Sequence, residues 1–449
     1  MRSLDRIGEF AQLVCRQIRW EKAHARVSEE ITNHIIDGRD AYIAQGMEED
    51  AATERALADT GDAMAIGTQL DRIHRPKPQW SMLIATAILV MFGILIRLFF
   101  FNDVATGGLL SVRLIFTAFG IAGMIGAYYA DFTIIAKYPR AIYFGTVIGT
   151  IALFFVLTYF SQRIYSVSRI FGEVKFPSYI IMLSPIVFVS LIFSFRSKGY
   201  RGAIIYGLAF LPIGWFAIGY TFLGGFFSVT VIWFILFGIA VNKNWFGTKK
   251  LYNFLIILVP PVLLLFLLFA LNWDMCLRWI KAAIDPYADP VNIGYWGTIA
   301  RGALSGAQFF GGGQLPEAVR LQMSAKNTFF CANLLLVWLI AHIGWVAFAL
   351  IMAVPVFFII KGFRRCMRQR SSLGLFVSLA VMMSLSAQSF GYVVYNLGFQ
   401  LGRPISLPLI SYGNGELVIN LVMIGFMISV FRTGDLVVDK GRGVMQTHL

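Results

Sequence analysis

Residues 252–272 read YNFLIILVPPVLLLFLLFALN, 21 positions without a charge. A helix of about 20 apolar residues matches the hydrocarbon thickness of a bilayer, whereas shorter apolar runs belong to buried core helices. Reading outward in both directions, comparable runs lie near 80–101, 111–131, 141–160, 178–195, 202–220, 222–241, 328–360, 373–396 and 406–431. The run at 328–360 is long enough to tilt or to extend beyond the membrane. Of the 449 residues 58% are hydrophobic and 14% charged, and mean hydropathy is +0.71. No soluble domain of this size hides so much apolar surface. The expected fold is therefore all-α, a polytopic membrane protein of about ten transmembrane helices.

The net charge of +14 is unevenly placed. Residues 1–79 carry 14 acidic and 11 basic side chains, while the remainder carries 27 Lys/Arg against 10 Asp/Glu. Base on a hydrophobic chain serves topology and anionic lipid headgroups. With no separate basic, aromatic-interleaved domain, nucleic acid is not an expected partner. Four scattered cysteines, Cys15, Cys276, Cys331 and Cys366, contain no CxxC and predict neither a disulfide framework nor a zinc site. A Cys276–Cys331 bridge stays open as a minor alternative. No cluster of metal ligands appears, so a divalent cation is neither required nor excluded.

Residues 1–78 read as a small soluble helical domain ahead of a membrane domain at 79–449. Val27, Ile31, His34, Ile35 and Tyr42 recur at helical spacing. Gly46 is a helix stop, and Glu48, Glu49 and Asp50 suit the start of the next helix. The segment lacks the apolar stretch of a signal peptide, which predicts a cytoplasmic domain. It resembles the small prefix domain found ahead of some bacterial permeases and ABC components. That likeness implies a solubilising or docking module rather than catalysis.

With the N-terminus inside, the loops 132–140, 196–201, 242–251 and 361–372 face the cytoplasm and hold thirteen Lys/Arg. The short outer loops hold Arg163, Arg169, Lys175 and Arg403. This is the positive-inside pattern, with the loop at 161–177 mildly discordant. Both termini are then cytoplasmic. The long connection 273–327 faces outward, where function is expected to sit.

That loop contains IDPYADPVNIGY (284–295) and LSGAQFFGGGQLPEA (304–318), and the last run is introduced by LGRPISLPLISYGNGELV (401–418). Together these resemble the SEDS family of shape, elongation, division and sporulation membrane proteins, over roughly 80–432. The resemblance implies a bacterial cytoplasmic-membrane glycosyltransferase that polymerises lipid II into glycan strands at the outer face. Its usual partner is a class B penicillin-binding transpeptidase. A carboxylate takes the acceptor hydroxyl proton, and the oxygen displaces undecaprenyl pyrophosphate with inversion. Such chemistry needs a base within hydrogen-bond reach and cationic help for the leaving group. By the same resemblance Gly311, Gly312, Gly313 and Glu317 match the family's loop. Pro408, Ser411, Tyr412 and Gly413 match its last signature, Gln388 and Asn396 match polar positions in the ninth span, and Arg403 stands where some division-type members have lysine.

The family's catalytic aspartate has no counterpart. Alignment anchored on Gly344 puts Asn333 there; an ungapped reading from Leu315 to Ala318 puts Leu321 there. An amide has no useful basicity. Tyr179 stands where a glutamate is usual, and Asn414 and Glu416 are departures after the last signature. Ten acids remain outside the N-terminal domain: Asp103, Asp131, Glu173, Asp274, Asp285, Asp289, Glu317, Glu416, Asp435 and Asp439. Asp285 and Asp289 sit in a proline-bounded turn and read as backbone holders. Glu317 reads as a base or a loop anchor. Glu416, costly at the mouth of a span unless paired or wet, reads as a replacement base or as the ion-pair partner of Arg403. His342 reads as a packed, hydrogen-bonded side chain. Arg97 and Arg113 either snorkel to headgroups or turn inward to hold pyrophosphate. Three functions stay open: a polymerase with a relocated carboxylate; a catalytically silent paralogue that binds lipid II or its partner; and a lipid-linked precursor transporter or unrelated permease.

Overall fold

The computed structural model describes residues 2–74, 78–100, 109–163, 176–324, 333–411 and 413–434. These residues are helical or irregular, with no strand among them. The chain divides into two compact units, one built from Met1–Pro78 and the other from Gln79–Gly434.

The first unit holds four helices: α1 Arg2–Arg16, α2 His24–Ala44, α3 Glu49–Thr60 and α4 Ala63–His74. Ile7, Ala11 and Val14 of α1 and Val27, Ile31 and Ile35 of α2 close one apolar core with Ala56 of α3. His34, expected at the same spacing, is exposed, and Ile31 and Ile35 take the core side. Gly46 ends α2 at φ 93°, a conformation that a Cβ would strain. Asp62 accepts from the amides of Met64 and Ala65 at 3.2 and 3.1 Å and so starts α4. The Tyr42 hydroxyl donates to Asp59, and this bond raises the phenol's pKa.

The second unit comprises α5 Trp80–Phe100, α6 Leu109–Tyr129, α7 Pro139–Arg163, α8 Phe176–Phe195, α9 Gly199–Gly219 and α10 Thr221–Asn242. It continues with α11 Lys250–Ile284, α12 Tyr295–Ser305, α13 Glu317–Ser324, α14 Leu335–Ile343, α15 Trp345–Cys366, α16 Ser372–Asn396 and α17 Asn414–Thr433. Among the described residues seven helices, α8 to α11 and α15 to α17, are long and apolar enough to cross a membrane. Every hydrophobic run of the sequence contributes helix, but three boundaries differ from expectation. The run at 328–360 is not one helix: Gly344, at φ 90° and ψ 170°, separates α14 from α15. The run at 406–431 becomes helical only at Asn414, because 406–411 form an irregular loop. The segment 273–284, expected as loop, prolongs α11 beyond a kink at Asn272.

Packing within this unit follows membrane rules. Helices in lipid gain nothing by hiding apolar surface from one another, so they associate by close approach and polar contacts. Gly120 and Gly123 of α6 lie against Leu421 and Val422 of α17, and Gly425 of α17 lies against Met124 and Ala127 of α6. Aromatic rings join α8, α9 and α10: Trp233 packs 4.4 Å from Phe210 and 5.6 Å from Tyr206. The α9–α10 turn passes through Phe222 at φ 54°.

Candidate functional site

The described parts of the long connection between α11 and α15, 285–324 and 333–344, fold into a compact cap. Ile299, Ala300 and Ala303 of α12 pack with Val319 of α13, Leu334, Val337 and Ala341 around α14, and Tyr395 of α16. Asp285 accepts from the Tyr287 amide at 3.1 Å, and Asp289 accepts from the Asn292 amide and side chain at 3.3 and 3.0 Å. Both therefore hold turns, as the sequence predicts. Arg301 then ties the cap to the α16–α17 connection. Its guanidinium donates to the Ile284 carbonyl at 2.9 Å and lies 4.9 Å from the Phe399 ring.

The glycine-rich segment turns out to be a plug. It enters the break at Gly344: the amides of Trp345 and Val346 donate to the carbonyls of Gln308 and Phe309, both at 3.1 Å. Gly313 N–H returns a bond to Ala341 at 3.0 Å. Those bonds satisfy backbone groups that the end of α14 and the start of α15 would otherwise leave open. A Cβ on Gly344 would stand 2.7 Å from the Phe309 carbonyl, and one on Gly313 would stand 2.1 Å from that of Gly306. Gly312 packs against the His342 carbonyl. Glu317, exposed, opens α13 just beyond this plug.

Polar residues of α16 act on its neighbours. Asn396 is buried; its Oδ1 accepts from the amides of Leu336 and Val337 at 3.1 and 3.2 Å, and its Nδ2 donates to the carbonyls of Asn333 and Tyr392. It is an N-cap for α14 supplied from another helix. The Tyr392 hydroxyl accepts from Leu335 N–H at 3.2 Å beside it. Gln388 exchanges two bonds with Asn420 of α17, at 3.2 and 3.1 Å, and also donates to Ser384. Asn333 is buried at the start of α14. His342 is exposed rather than packed inside, although its ring stacks on Trp338 and its Nδ1 lies 2.8 Å from the Trp338 carbonyl.

The loop before α17 is gripped from several sides. Arg113 is buried and donates to the Leu409 carbonyl at 3.3 Å, so it does not snorkel: a guanidinium inside a bundle fixes a backbone instead. Leu409 is held at φ 65°, and Gly93 of α5 approaches its carbonyl so closely that a Cβ would stand 2.5 Å away. Ser411 accepts from Leu407 N–H at 2.8 Å, which closes the turn. Glu416 is 1% exposed; its Oε1 accepts from the Ser178 hydroxyl at 3.0 Å, and its Oε2 has no hydrogen-bond partner among the described residues. Tyr179 brings its hydroxyl against Gly415. The expected Arg403–Glu416 pair is not formed, because Arg403 is exposed while Glu416 turns inward to α8. Gly413 lies beside the Glu416 carboxylate. Of the remaining candidates, Tyr412, Asp103 and Glu173 lie outside the described residues, as does Cys331, whereas Cys276 is a buried free thiol. Arg97 lies in α5, its side chain outside what the structure describes.

Between α8, α10, α16 and the 399–405 loop runs a cavity of about 480 Å³. Its wall is almost wholly apolar, with Phe227 and Ile235 on one side, Met383 and Tyr395 on another, and Arg403 at one end. From Thr221 to Ile235 it follows α10 for about 21 Å at 1.5 Å per residue. The 401–402 backbone rests on the α9–α10 turn, where Gly224 N–H donates to Leu401 at 3.0 Å. Tyr395 belongs both to this cavity and to the core of the cap. The approach to the final helix lines this cavity directly, and the cap touches its wall through Tyr395 and through Arg301 on Phe399. Among the described residues no group of three or more His, Cys, Asp or Glu gathers as metal ligands.

Several of these residues carry no motif in the sequence. Nothing in the sequence marks Ser178 or Tyr392, whereas Asn420 carries a signal: an amide in the middle of an apolar span is costly and needs a partner.

No protein-family model matches the chain. Among curated proteins it is similar to the probable peptidoglycan glycosyltransferase FtsW of Geobacter metallireducens, 25% identical over 193 residues, covering 41% of this chain and 48% of the relative. The corresponding protein of Marinomonas mediterranea is 28% identical over 191 residues, 42% of this chain and 46% of the relative. The chain spans about half the length of the curated relatives it matches. In fold it is similar to a chain of a solved peptidoglycan synthase complex, described as coordinating polymerization and crosslinking. The TM-score is 0.52 at 16% identity, with 79% of this chain and 98% of that chain covered. Motif order, sequence likeness to FtsW and shared helical fold converge: this chain is a multi-pass bacterial membrane protein that is similar to the SEDS proteins.

Proposed function

We propose that the chain is a peptidoglycan glycosyltransferase that polymerises lipid II at the outer face of the cytoplasmic membrane, in division or in shape maintenance. Both termini and the 1–78 domain then lie in the cytoplasm. The single observation that carries the reading is the groove: an apolar channel about 21 Å long, with room for the isoprene units next to the headgroup of a polyprenyl tail, and with Arg403 in its lining to meet a phosphate. The apolar wall takes the tail and the guanidinium takes charge from the pyrophosphate. Glu317 is the base. It is exposed on the cap, whereas Glu416 is buried and engaged by Ser178. Its carboxylate removes the acceptor hydroxyl proton as that oxygen bonds to the donor's anomeric carbon, and the anomeric carbon–oxygen bond to undecaprenyl pyrophosphate breaks. Glu416 positions α8 against α17. A class B penicillin-binding transpeptidase is the partner this reading calls for, because the solved relative in fold belongs to a complex that also crosslinks.

The test is polymerisation of labelled lipid II by purified protein in vesicles, with and without such a partner. General-base removal costs about 10²- to 10⁴-fold, so Glu317→Gln is expected to abolish detectable glycan while Glu416→Gln keeps most of it. No glycan from the unaltered chain under any partner or cation condition, or undiminished glycan from Glu317→Gln, overturns the assignment.

A further inference from the structure

We propose that Phe309 and Phe310 insert into the outer leaflet at the headgroup–acyl boundary and hold the glycine-rich plug at the membrane surface. Both rings are 75% exposed, adjacent, and at the tip of a polar loop outside any span. Single exposed apolar side chains are ordinary, but a pair on a loop tip calls for a covering medium. The depth of that tip is fixed. Phe309 accepts from Val346 N–H in the first turn of α15, at 3.1 Å, and Gln308 accepts from Trp345 N–H. α15 is a candidate span with Arg364 and Arg365 in its last turn. Trp345 to Arg364 measures about 28 Å at 1.5 Å per residue, close to the hydrocarbon thickness of about 30 Å. With those arginines at the cytoplasmic headgroups, Trp345 falls at the opposite interface, where aromatic rings concentrate. Phe309, bonded at that level, and its neighbour Phe310 face lipid there. Glu317 follows within the same segment, so the wedge also sets the height of the cap relative to a lipid-borne headgroup. The inference rests on the span and on the orientation proposed above, and it stands or falls independently of catalysis.

A nitroxide label reads the depth directly. In full-length protein with its four native cysteines replaced by serine, reconstituted into vesicles of phosphatidylethanolamine and phosphatidylglycerol, Phe310→Cys and Phe309→Cys are labelled separately. Val291→Cys, in the exposed turn of the cap, serves as the aqueous reference. The expected result is loss of collisions with a water-soluble nickel chelate relative to Val291, together with a gain of collisions with oxygen. Nickel access equal to that at Val291 overturns the proposal, since the tip is then in water. Shielding from both reagents also overturns it, since protein rather than lipid then covers the rings.

Discussion

Asn396 shows how much a single side chain can organise in an environment without water. Two of its four bonds hold amides in the first turn of α14, a third reaches the Asn333 carbonyl just ahead of that helix and the fourth returns to Tyr392 within α16; removing the side chain strands the two buried amides. An unsatisfied buried donor costs about 1–3 kcal/mol, so Asn396→Ala is expected to lower stability by about 2 kcal/mol or more and to shift the thermal midpoint in detergent downward. The Gln388–Asn420 pair is a different case, because both partners are neutral and reciprocal. Interhelical polar pairs in membranes average about 0.6 kcal/mol. A double-mutant cycle with Gln388→Leu and Asn420→Leu is expected to return a coupling near that size. The sequence marks Gln388 and Asn396 as unusual polar positions but cannot say what they hold, because their partners lie about 30 or 60 residues away. Glu416 is legible as a carboxylate that needs company. Its partner proves to be Ser178 rather than the cation Arg403 nearby in sequence: a hydroxyl reached through the bundle is available without burying a guanidinium.

Helices themselves are readable from hydropathy, since any run of about 20 apolar residues in lipid must satisfy its own backbone bonds. Interruptions are less so. The apolar run at 328–360 continues through Gly344 without a hydropathic sign, yet the chain breaks there because another loop satisfies the freed backbone. One glycine with φ 90° is the whole signal. Gly344→Ala adds a Cβ 2.7 Å from the Phe309 carbonyl in a conformation alanine resists, at about 1–3 kcal/mol for the backbone alone. The expected outcome is local: faster hydrogen exchange at Gly313, Trp345 and Val346, with α16 and α17 unchanged. Uniform acceleration across all helices would contradict the plug.

At the scale of the molecule, the membrane-spanning class and the charge asymmetry are legible in the sequence, whereas the groove is not. It is made by residues of α8, α10 and α16 that are distant in sequence and unremarkable singly, and only packing brings them to Arg403. The account rests on that groove holding the tail of a lipid-linked sugar. The most direct measurement places a photoreactive benzoylphenylalanine at Phe227, in the groove wall, and another at the exposed Leu263 on α11. Each variant is irradiated in vesicles containing fluorescent lipid II. The prediction is a crosslink at position 227 that unlabelled lipid II competes away and phosphatidylglycerol does not, with only weak, uncompeted labelling at 263. Equal labelling of both positions, or none at 227, would contradict it.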